Sequence, residues 1–189
     1  MNLKMEKREG SSRIIILLFF IPFFIWILLQ FIAPFALQPG STHDLSGFVG
    51  VADNENVMDD FPSPWNAVYG CGDRLCHQKA ERSFFFNGNQ MPFCSRCTAI
   101  WLGFAIGLGI MIFYKINLDK KFLFLIIIGL APIGIDGFGQ LFKFWTSNNL
   151  TRLITGLMIG TVCGITIGVI IDECNDILKL KKKQKVVKS

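Results

Sequence analysis

Charged side chains are scarce in this sequence of 189 residues, and their scarcity excludes an ordinary soluble domain. Only 17% of the residues are charged, whereas 51% are hydrophobic, and the mean hydropathy is +0.45. A typical soluble domain carries about 25% charged residues. The 19 phenylalanines and 18 glycines agree, since both residue types are well tolerated in transmembrane helices. The composition therefore indicates a membrane protein in contact with the lipid bilayer.

Two further absences narrow the class of protein. The chain lacks a basic patch interleaved with aromatic residues, because its lysines and arginines lie at the chain ends and in short loops. A nucleic-acid partner is excluded on this ground, despite the net charge of +5. The first apolar run, from Ile14 to Pro39, has no small-residue cleavage site after it and exceeds the ~7–15 residues of a signal-peptide core. We therefore interpret this run as a membrane anchor.

Four segments with little or no charge are each long enough to cross a bilayer, which takes about 20 residues. They predict an all-α membrane protein with four transmembrane helices in a compact bundle. The predicted spans are residues 14–37, 98–114, 122–141 and 153–171. The segments between and outside them are 1–13, 38–97, 115–121, 142–152 and 172–189.

Basic residues concentrate in the segments 1–13, 115–121 and 172–189. By the positive-inside rule, both termini and the loop between the second and third spans are cytoplasmic. We therefore expect a multi-pass protein of the cell membrane. The loops 38–97 and 142–152 then share the extracytoplasmic face, so the cysteine-containing loop is predicted to be extracytoplasmic.

Small residues recur every four positions in two of the predicted spans. The fourth span has Gly156, Gly160, Gly164 and Gly168, and the second has Ala99, Gly103 and Gly107. Such ridges predict close contact between helix backbones. They serve packing within one chain and between chains equally well, so the oligomeric state is left open.

Four of the six cysteines lie in the long loop and at the start of the second span: Cys71, Cys76, Cys94 and Cys97. Cys71 and Cys76 form one pair and Cys94 and Cys97 a second, and two cysteine pairs spaced in this way resemble a four-cysteine zinc site. His77 is an alternative fourth ligand that would replace Cys71. Adjacent residues of an extended chain point in opposite directions, however, so Cys76 and His77 would need a tight turn between them to share an ion.

Two other interpretations of the cysteines stay open. On an oxidising outer face, paired cysteines usually form disulfides, which would make the loop a stapled, non-enzymatic module for binding or assembly that needs no cofactor. Alternatively, Cys94 and Cys97 begin a helix whose N-terminal amides would stabilise a thiolate. That arrangement is typical of a membrane thiol-disulfide oxidoreductase.

A second polar set accompanies the cysteines. Counted from Lys121 at ~1.5 Å per residue, Asp136 lies about 8 Å inside the outer edge of a ~30 Å hydrocarbon layer. A carboxylate at this depth is normally paired or functional, so we predict an arginine partner for Asp136 and consider it a candidate catalytic base. The residues predicted to bind a lipid-borne or anionic ligand are Arg82, Ser83, Arg96, Gln140, Asn149 and Arg152.

Three blocks of sequence carry a family resemblance: CHQ, ERSFFFNGNQMPFCSRCTAIWLG, and DGFGQ with SNNLTRLITG. From about Cys76 to Gly160 the chain resembles the prokaryotic integral membrane proteins grouped as domain of unknown function family 2085, except that Ala99 stands where the family often has glycine. The resemblance implies no reaction. It implies one signature formed by Cys76, His77, Gln78, Arg82, Ser83, Cys94, Arg96, Cys97, Asp136, Gly137, Gln140, Arg152, Thr155 and Gly156.

Because Cys71 lies outside this pattern, the resemblance favours Cys76, His77, Cys94 and Cys97 as the metal-binding set. Thiolate and imidazole ligands together suit zinc. Our leading hypothesis is therefore a zinc-dependent site at the outer membrane face. A catalytic zinc there would activate water beside an anionic or lipid-borne substrate held by the arginines.

Overall fold

The computed structural model describes residues 5–7 and 10–187. The predicted cytoplasmic N-terminal segment lies partly outside these described residues, including its basic residues Lys4 and Arg8, and so does the end of the C-terminal tail. The protein is all-α, as predicted, and four of its described helices are long and apolar enough to cross a membrane.

The helices are α1 (Ser11–Ala36), α2 (Glu55–Asp59), α3 (Trp65–Leu75), α4 (Ser95–Phe113), α5 (Lys120–Leu141) and α6 (Asn149–Val187). A short 3-10 helix occupies Ala80–Arg82. The strands are β1 (Met5–Lys7), β2 (Phe85–Phe86), β3 (Asn89–Gln90) and β4 (Tyr114–Ile116). They form two antiparallel pairs, β1 with β4 and β2 with β3.

The fourth long helix differs from its predicted span. We expected it to end at residue 171, but α6 continues to Val187 over 39 residues. At ~1.5 Å per residue it is nearly twice as long as a ~30 Å hydrocarbon layer is thick. Residues 172–187 contain several lysines and no glycine or proline, so nothing in them breaks a helix.

The centre of the fold is the contact between α4 and α6, with α1 packed on α4 and α5 packed on α6. The predicted ridges of small residues form this central contact. A Cβ at Gly103 would lie under 3.0 Å from the backbone of Leu157 and Thr161, and one at Gly160 equally close to the backbone of Ile100 and Phe104. The two helix backbones therefore touch along the ridges, as expected of small-residue packing in membranes.

Strand β1, the connection between α4 and α5 and the part of α6 around Asp176 lie at one end of the fold. There β1 pairs with β4, and the Lys115 ammonium donates to the Asp176 carboxylate of α6 at 2.7 Å. The long loop 38–94 and the connection between α5 and α6 lie at the other end, where the cysteines are found. Which end faces the cytoplasm stays a prediction.

The long loop is more ordered than its sequence indicated. Leu45, Met58, Val68 and Tyr69 are buried together with Ala33 of α1 and with Leu37, which follows it, and this packing anchors the loop to the end of that helix. A β2–β3 hairpin follows, and its turn consists of Asn87 and Gly88, both with positive φ. An Asn-Gly pair is the preferred sequence for such a turn. The loop therefore forms a cap on the helices and carries the cysteines.

Candidate functional site

Cys76 is positioned by the end of α3. It follows the helix in an extended conformation, and its N–H donates to the carbonyl of Gly72 at 2.9 Å. Gly72 itself packs so closely against the Pro92 carbonyl that a Cβ there would overlap with it. The Gln78 side chain also donates to the Pro92 carbonyl, at 2.6 Å. These contacts hold the end of α3 against the segment that leads to Cys94.

Two buried amide side chains fix the hairpin that separates Cys76 from Cys94. The Asn89 amide donates to the carbonyls of Pro34 and Gln38 in and just after α1, at 2.8 and 2.9 Å. Gln90 donates to the Gln78 carbonyl and to the Ser83 hydroxyl. Both side chains are fully buried, so their hydrogen bonds order the loop where its apolar core is small.

Three cysteines of this region meet at the start of α4. The ligand atoms of Cys76, Cys94 and Cys97 all lie within 4.8 Å of one another. The Cys94 N–H donates to the Cys76 sulfur at 3.3 Å, and the Gln78 N–H donates to it at 3.5 Å. Cys94 is the N-cap of α4, so Cys97 lies in the first turn of that helix.

This arrangement favours a thiolate at Cys94. The Cys76 thiol, and to a smaller extent the Cys97 thiol, donates to the Cys94 sulfur, and these hydrogen bonds hold the pKa of Cys94 well below its ordinary value. The backbone N–H groups of Arg96 and Cys97 lower this pKa further. Burial acts in the opposite direction. The same hydrogen bond raises the pKa of Cys76, because the Cys76 thiol keeps its proton as the donor to Cys94. A negative sulfur at a helix N-terminus is also favoured by the helix dipole.

The structure does not bring His77 or Cys71 into this group. Neither belongs to the set of metal-ligating atoms that cluster within 4.8 Å in the described part of the chain. Cys76 is extended, so the next side chain points away from it, and His77 is exposed. Cys71 lies in α3, more than one helical turn before Cys76.

Asp136 lies at the centre of a second polar cluster, between α4, α5 and the connection after α5. Its side chain is buried, and Arg96 of α4 forms the predicted ion pair with it. Three more donors complete its shell, namely the amide of Gln140 at 2.9 Å, the indole N–H of Trp145 at 3.3 Å and the hydroxyl of Ser147. Two donors therefore contact each carboxylate oxygen, which suits Asp136 to holding Arg96 in place. Its role as a base stays a prediction.

Arg152 and Asn149 lie in the first turn of α6, beside the start of α4. The Asn149 side-chain oxygen accepts from the Ser95 hydroxyl at 3.1 Å and from Arg152 at 3.2 Å. The Asn149 amide reaches the Ser83 carbonyl at 3.4 Å. Two helix N-termini thus meet here, and both carry partial positive charge.

Three arginines lie in this region. Arg152 is only 6% exposed, and no carboxylate of the described residues forms an ion pair with it. It lies close enough to Arg82, Arg96 and Cys94 for electrostatic interaction. Arg82 is more exposed and pairs at 3.7 Å with Glu81, which is itself largely in solvent. The cysteine cluster and the polar cluster therefore form one site.

Three residues of the site were not anticipated from the sequence: Ser95, Trp145 and Ser147. All three have side chains that bind another residue of the site. A buried carboxylate has room for about four hydrogen bonds, so further donors near Asp136 were to be expected. The short loop after α5 begins shortly after Asp136 in the sequence, and this short separation is the signal that points to Trp145 and Ser147.

Fold and site together define a polytopic α-helical membrane protein with three clustered cysteines beside an arginine and aspartate cluster. The chain belongs to the family described as "Predicted membrane protein (DUF2085)", whose profile matches residues 76–170. This confirms the resemblance carried by the three blocks of sequence. All residues of the site, from Cys76 to Arg152, lie within the matched range.

Two archaeal relatives are uncharacterised proteins. One, from Methanocaldococcus jannaschii, is 32% identical over 146 residues, which cover 76% of this chain and 84% of the relative. The other, from Methanothermobacter thermautotrophicus, is 38% identical over 86 residues, which cover 46% of this chain and 78% of the relative. No solved structure matches the chain.

Proposed function

We propose that Cys76, Cys94 and Cys97 bind a zinc ion at the membrane surface, next to an arginine site for a lipid-borne or other anionic ligand. The observation that carries the proposal is the mutual approach of three sulfurs to within 4.8 Å. Thiolates bound to zinc at ~2.3 Å in a tetrahedron are about 3.8 Å apart, so a small inward movement of the side chains would suffice.

The number of clustered thiols argues against a simple pair of disulfides. Three sulfurs cannot all be consumed in bridges among themselves, and Cys71 is not close enough to join them. A disulfide between any two would leave the third thiol buried or half-buried beside it. A metal ion, in contrast, uses all three sulfurs at once.

Three protein ligands are typical of catalytic zinc sites, where water or substrate takes the fourth position. A zinc ion with three thiolates would carry a net charge of about −1, which balances Arg152, the arginine of the site that no carboxylate of the described residues pairs with. The N–H donors of Arg152 would still be available to an anionic ligand. Arg152 is the residue best placed to bind it, because Arg96 is already paired with Asp136.

The proposal is tested by the metal content and free-thiol count of the detergent-purified protein. We expect about one equivalent of zinc, lost in Cys76→Ser, Cys94→Ser and Cys97→Ser. Cys71→Ser, Cys163→Ser and Cys174→Ser are matched controls that should retain it, since these thiols lie outside the cluster. His77→Ala should also retain zinc. Less than a tenth of an equivalent of any transition metal in the unmutated protein would refute the proposal.

A thiol-disulfide oxidoreductase is the second candidate, favoured by the position of Cys94 at the N-cap of α4 with Cys97 one turn on. Such an enzyme would use Cys94 as the attacking thiolate and Cys97 as the resolving thiol. Cys97→Ser would then trap mixed disulfides with partner proteins, visible on non-reducing gels. A zinc-binding protein gives no such adducts, so the two candidates make opposite predictions.

We also propose that the end of the fold with the cysteines is extracytoplasmic. The opposite end carries the lysines of the α4–α5 connection and of the last part of α6, and positive charge is retained in the cytoplasm. Reporter fusions at the C-terminus test this orientation. A fluorescent protein should be active there and alkaline phosphatase inactive, whereas the reverse pattern would place the site in the cytoplasm.

A further inference from the structure

An apolar groove runs along the outer side of α5, next to the polar cluster. It encloses about 480 Å³ and is lined by Ala131, Gly134, Ile135, Phe138, Phe142 and Trp145. The helix that forms it is one of the four candidate membrane spans, so the groove is open to the hydrocarbon layer. Its lining is almost entirely apolar, which suits an acyl or isoprenoid chain.

The indole of Trp145 separates this groove from the charged site. Its ring lies against the backbone of α5 at Gly139, where a Cβ would collide with it. One edge of the same ring donates to Asp136 at 3.3 Å, and Asp136 pairs with Arg96. The apolar groove and the Asp136–Arg96 pair thus contact the same indole. A molecule with a charged head and an apolar chain could occupy both.

The charge of the site specifies the head group. Arg152 is buried without a carboxylate partner, and the Nε of Arg96 is buried without any hydrogen-bond partner among the described residues. A buried donor without an acceptor is costly, so an anion that accepts from these guanidinium groups is expected here. Arginine binds phosphate particularly well, because its planar donors match two phosphate oxygens. Two helix N-termini add further positive potential.

Trp145 indicates that one end of the groove lies at the membrane interface. Its side chain is 46% exposed. Tryptophan concentrates at the level of the lipid head groups. A lipid phosphate lies at this level, with its chain alongside the span, whereas a soluble phosphate would make no use of the groove.

We infer that the anionic ligand of the site is a lipid phosphate, whose phosphate contacts Arg152 and Arg96 and whose chain lies in the groove of α5. This inference rests on the anion site of the proposed function, and it specifies the chemical class of the ligand that the site binds. Zinc content and lipid binding are measured separately, so either can fail without the other.

The test uses the full zinc-loaded chain in nanodiscs of phosphatidylcholine with and without phosphatidate, and inorganic phosphate as the soluble probe. Arg152→Gln should weaken phosphatidate binding by about tenfold or more, the loss expected for a charged hydrogen bond. Arg74→Gln is the matched control, because Arg74 is exposed and pairs with Glu55 away from the site.

A second pair of variants tests the contribution of the lipid's apolar chain to binding separately from that of its head group. Gly134 and Gly137 both lie in α5, and a Cβ added at either residue would have no neighbouring atom within 4 Å, so the start of a side chain meets no obstacle at either position. Only Gly134 lines the groove. Gly134→Leu should therefore reduce phosphatidate binding several-fold, while Gly137→Leu should not.

The outcomes are distinct. Phosphatidate binding that is lost in Arg152→Gln and reduced in Gly134→Leu supports the inference. Inorganic phosphate that binds as tightly as phosphatidate, with no effect of Gly134→Leu, would overturn it in favour of a soluble anion. No phosphatidate binding by a protein that holds its zinc would overturn the inference and leave the metal site standing. Phosphatidate binding by a zinc-free protein would refute the metal site alone.

Discussion

Replacing Gly160 with alanine tests whether the contact between α4 and α6 depends on the absence of a side chain. A Cβ at Gly160 would lie under 3.0 Å from the Ile100 carbonyl and the Phe104 nitrogen, whereas ordinary contacts are 3.4–4 Å. Both obstacles are backbone atoms, so no side chain can turn away and the helices must separate. Overpacking of this kind costs about 1–3 kcal/mol.

Alanine also stabilises a helix relative to glycine, by up to ~1 kcal/mol, which would hide part of this cost. Gly134→Ala in α5 is the matched control, since nothing lies within 4 Å of its Cβ position. The control should be neutral or slightly stabilising. We expect Gly160→Ala to be less stable than Gly134→Ala by about 1–3 kcal/mol, because only the overpacking differs between them.

Unfolding of the two variants by sodium dodecyl sulfate, followed by tryptophan fluorescence in mixed micelles, measures this difference. The variants carry the same change of residue in two of the candidate membrane spans, so detergent effects common to both largely cancel. Equal free energies of unfolding would refute the interpretation of Gly160 as a point of backbone contact. A difference confined to the unfolding rate would also be informative, since it would show that the contact forms late in folding.

Three further predictions concern polar groups. Asp136→Asn should lower the free energy of unfolding by about 2 kcal/mol. This is less than the ~3–5 kcal/mol of a fully buried pair, because the Arg96 side chain is 23% exposed. Glu55→Gln, in an exposed pair, should lower it by under ~1 kcal/mol in the same assay. Asp73→Ala should expose residues 54–59 to limited proteolysis, because the buried Asp73 carboxylate accepts two hydrogen bonds from Asn54; unchanged cleavage would contradict this. Burial raises the pKa of Tyr69 to about 12, so its contribution to stability should be complete below the unfolded value of about 10 and be lost as the pH rises toward 12. An absorbance titration in which Tyr69 ionises near pH 10 in the folded protein would contradict the last prediction.

The membrane spans could be predicted because hydrophobicity and length suffice to identify them. All four predicted spans correspond to described helices, and the ridges of small residues predicted the backbone contact between α4 and α6. The length of α6 was not predicted, since the charged residues after position 171 suggested the end of the helix. Charge ends a membrane span, but it does not end a helix that contains no glycine or proline.

The order of the long loop could have been partly predicted. Asn87 and Gly88 are a strong hairpin signal, and the hairpin they form separates Cys76 from Cys94. The hydrogen bonds of Asn89 and Gln90 could not be predicted in the same way. They connect residues up to 55 positions apart in the chain, and amides with such partners look like ordinary surface residues in the sequence.

Which residues form the site could be predicted more successfully than how they are arranged in space. Spacing singled out Cys76, Cys94 and Cys97, and the depth of Asp136 predicted an arginine partner, which is Arg96. Spacing could not separate Cys71 and His77 from the cluster, because that depends on where α3 ends and on the direction of one side chain. The adjacency of Cys76 and His77 in an extended chain was the one signal against a shared ion.

The position of the site follows from the way α4 and α6 pack. Both helices begin at the same end of the fold, and Gly156 of α6 lies against the carbonyl of Arg96 and the Cβ of Ala99 in α4. Arg96 lies between the two cysteines of α4, and Arg152 is one turn before Gly156. A single close contact therefore sets the distance between the thiols and the unpaired arginine. A larger residue at position 156 would move Arg152 away from Cys94 without changing any ligand. The packing of α4 against α6 therefore determines the geometry on which the chemistry of the site depends.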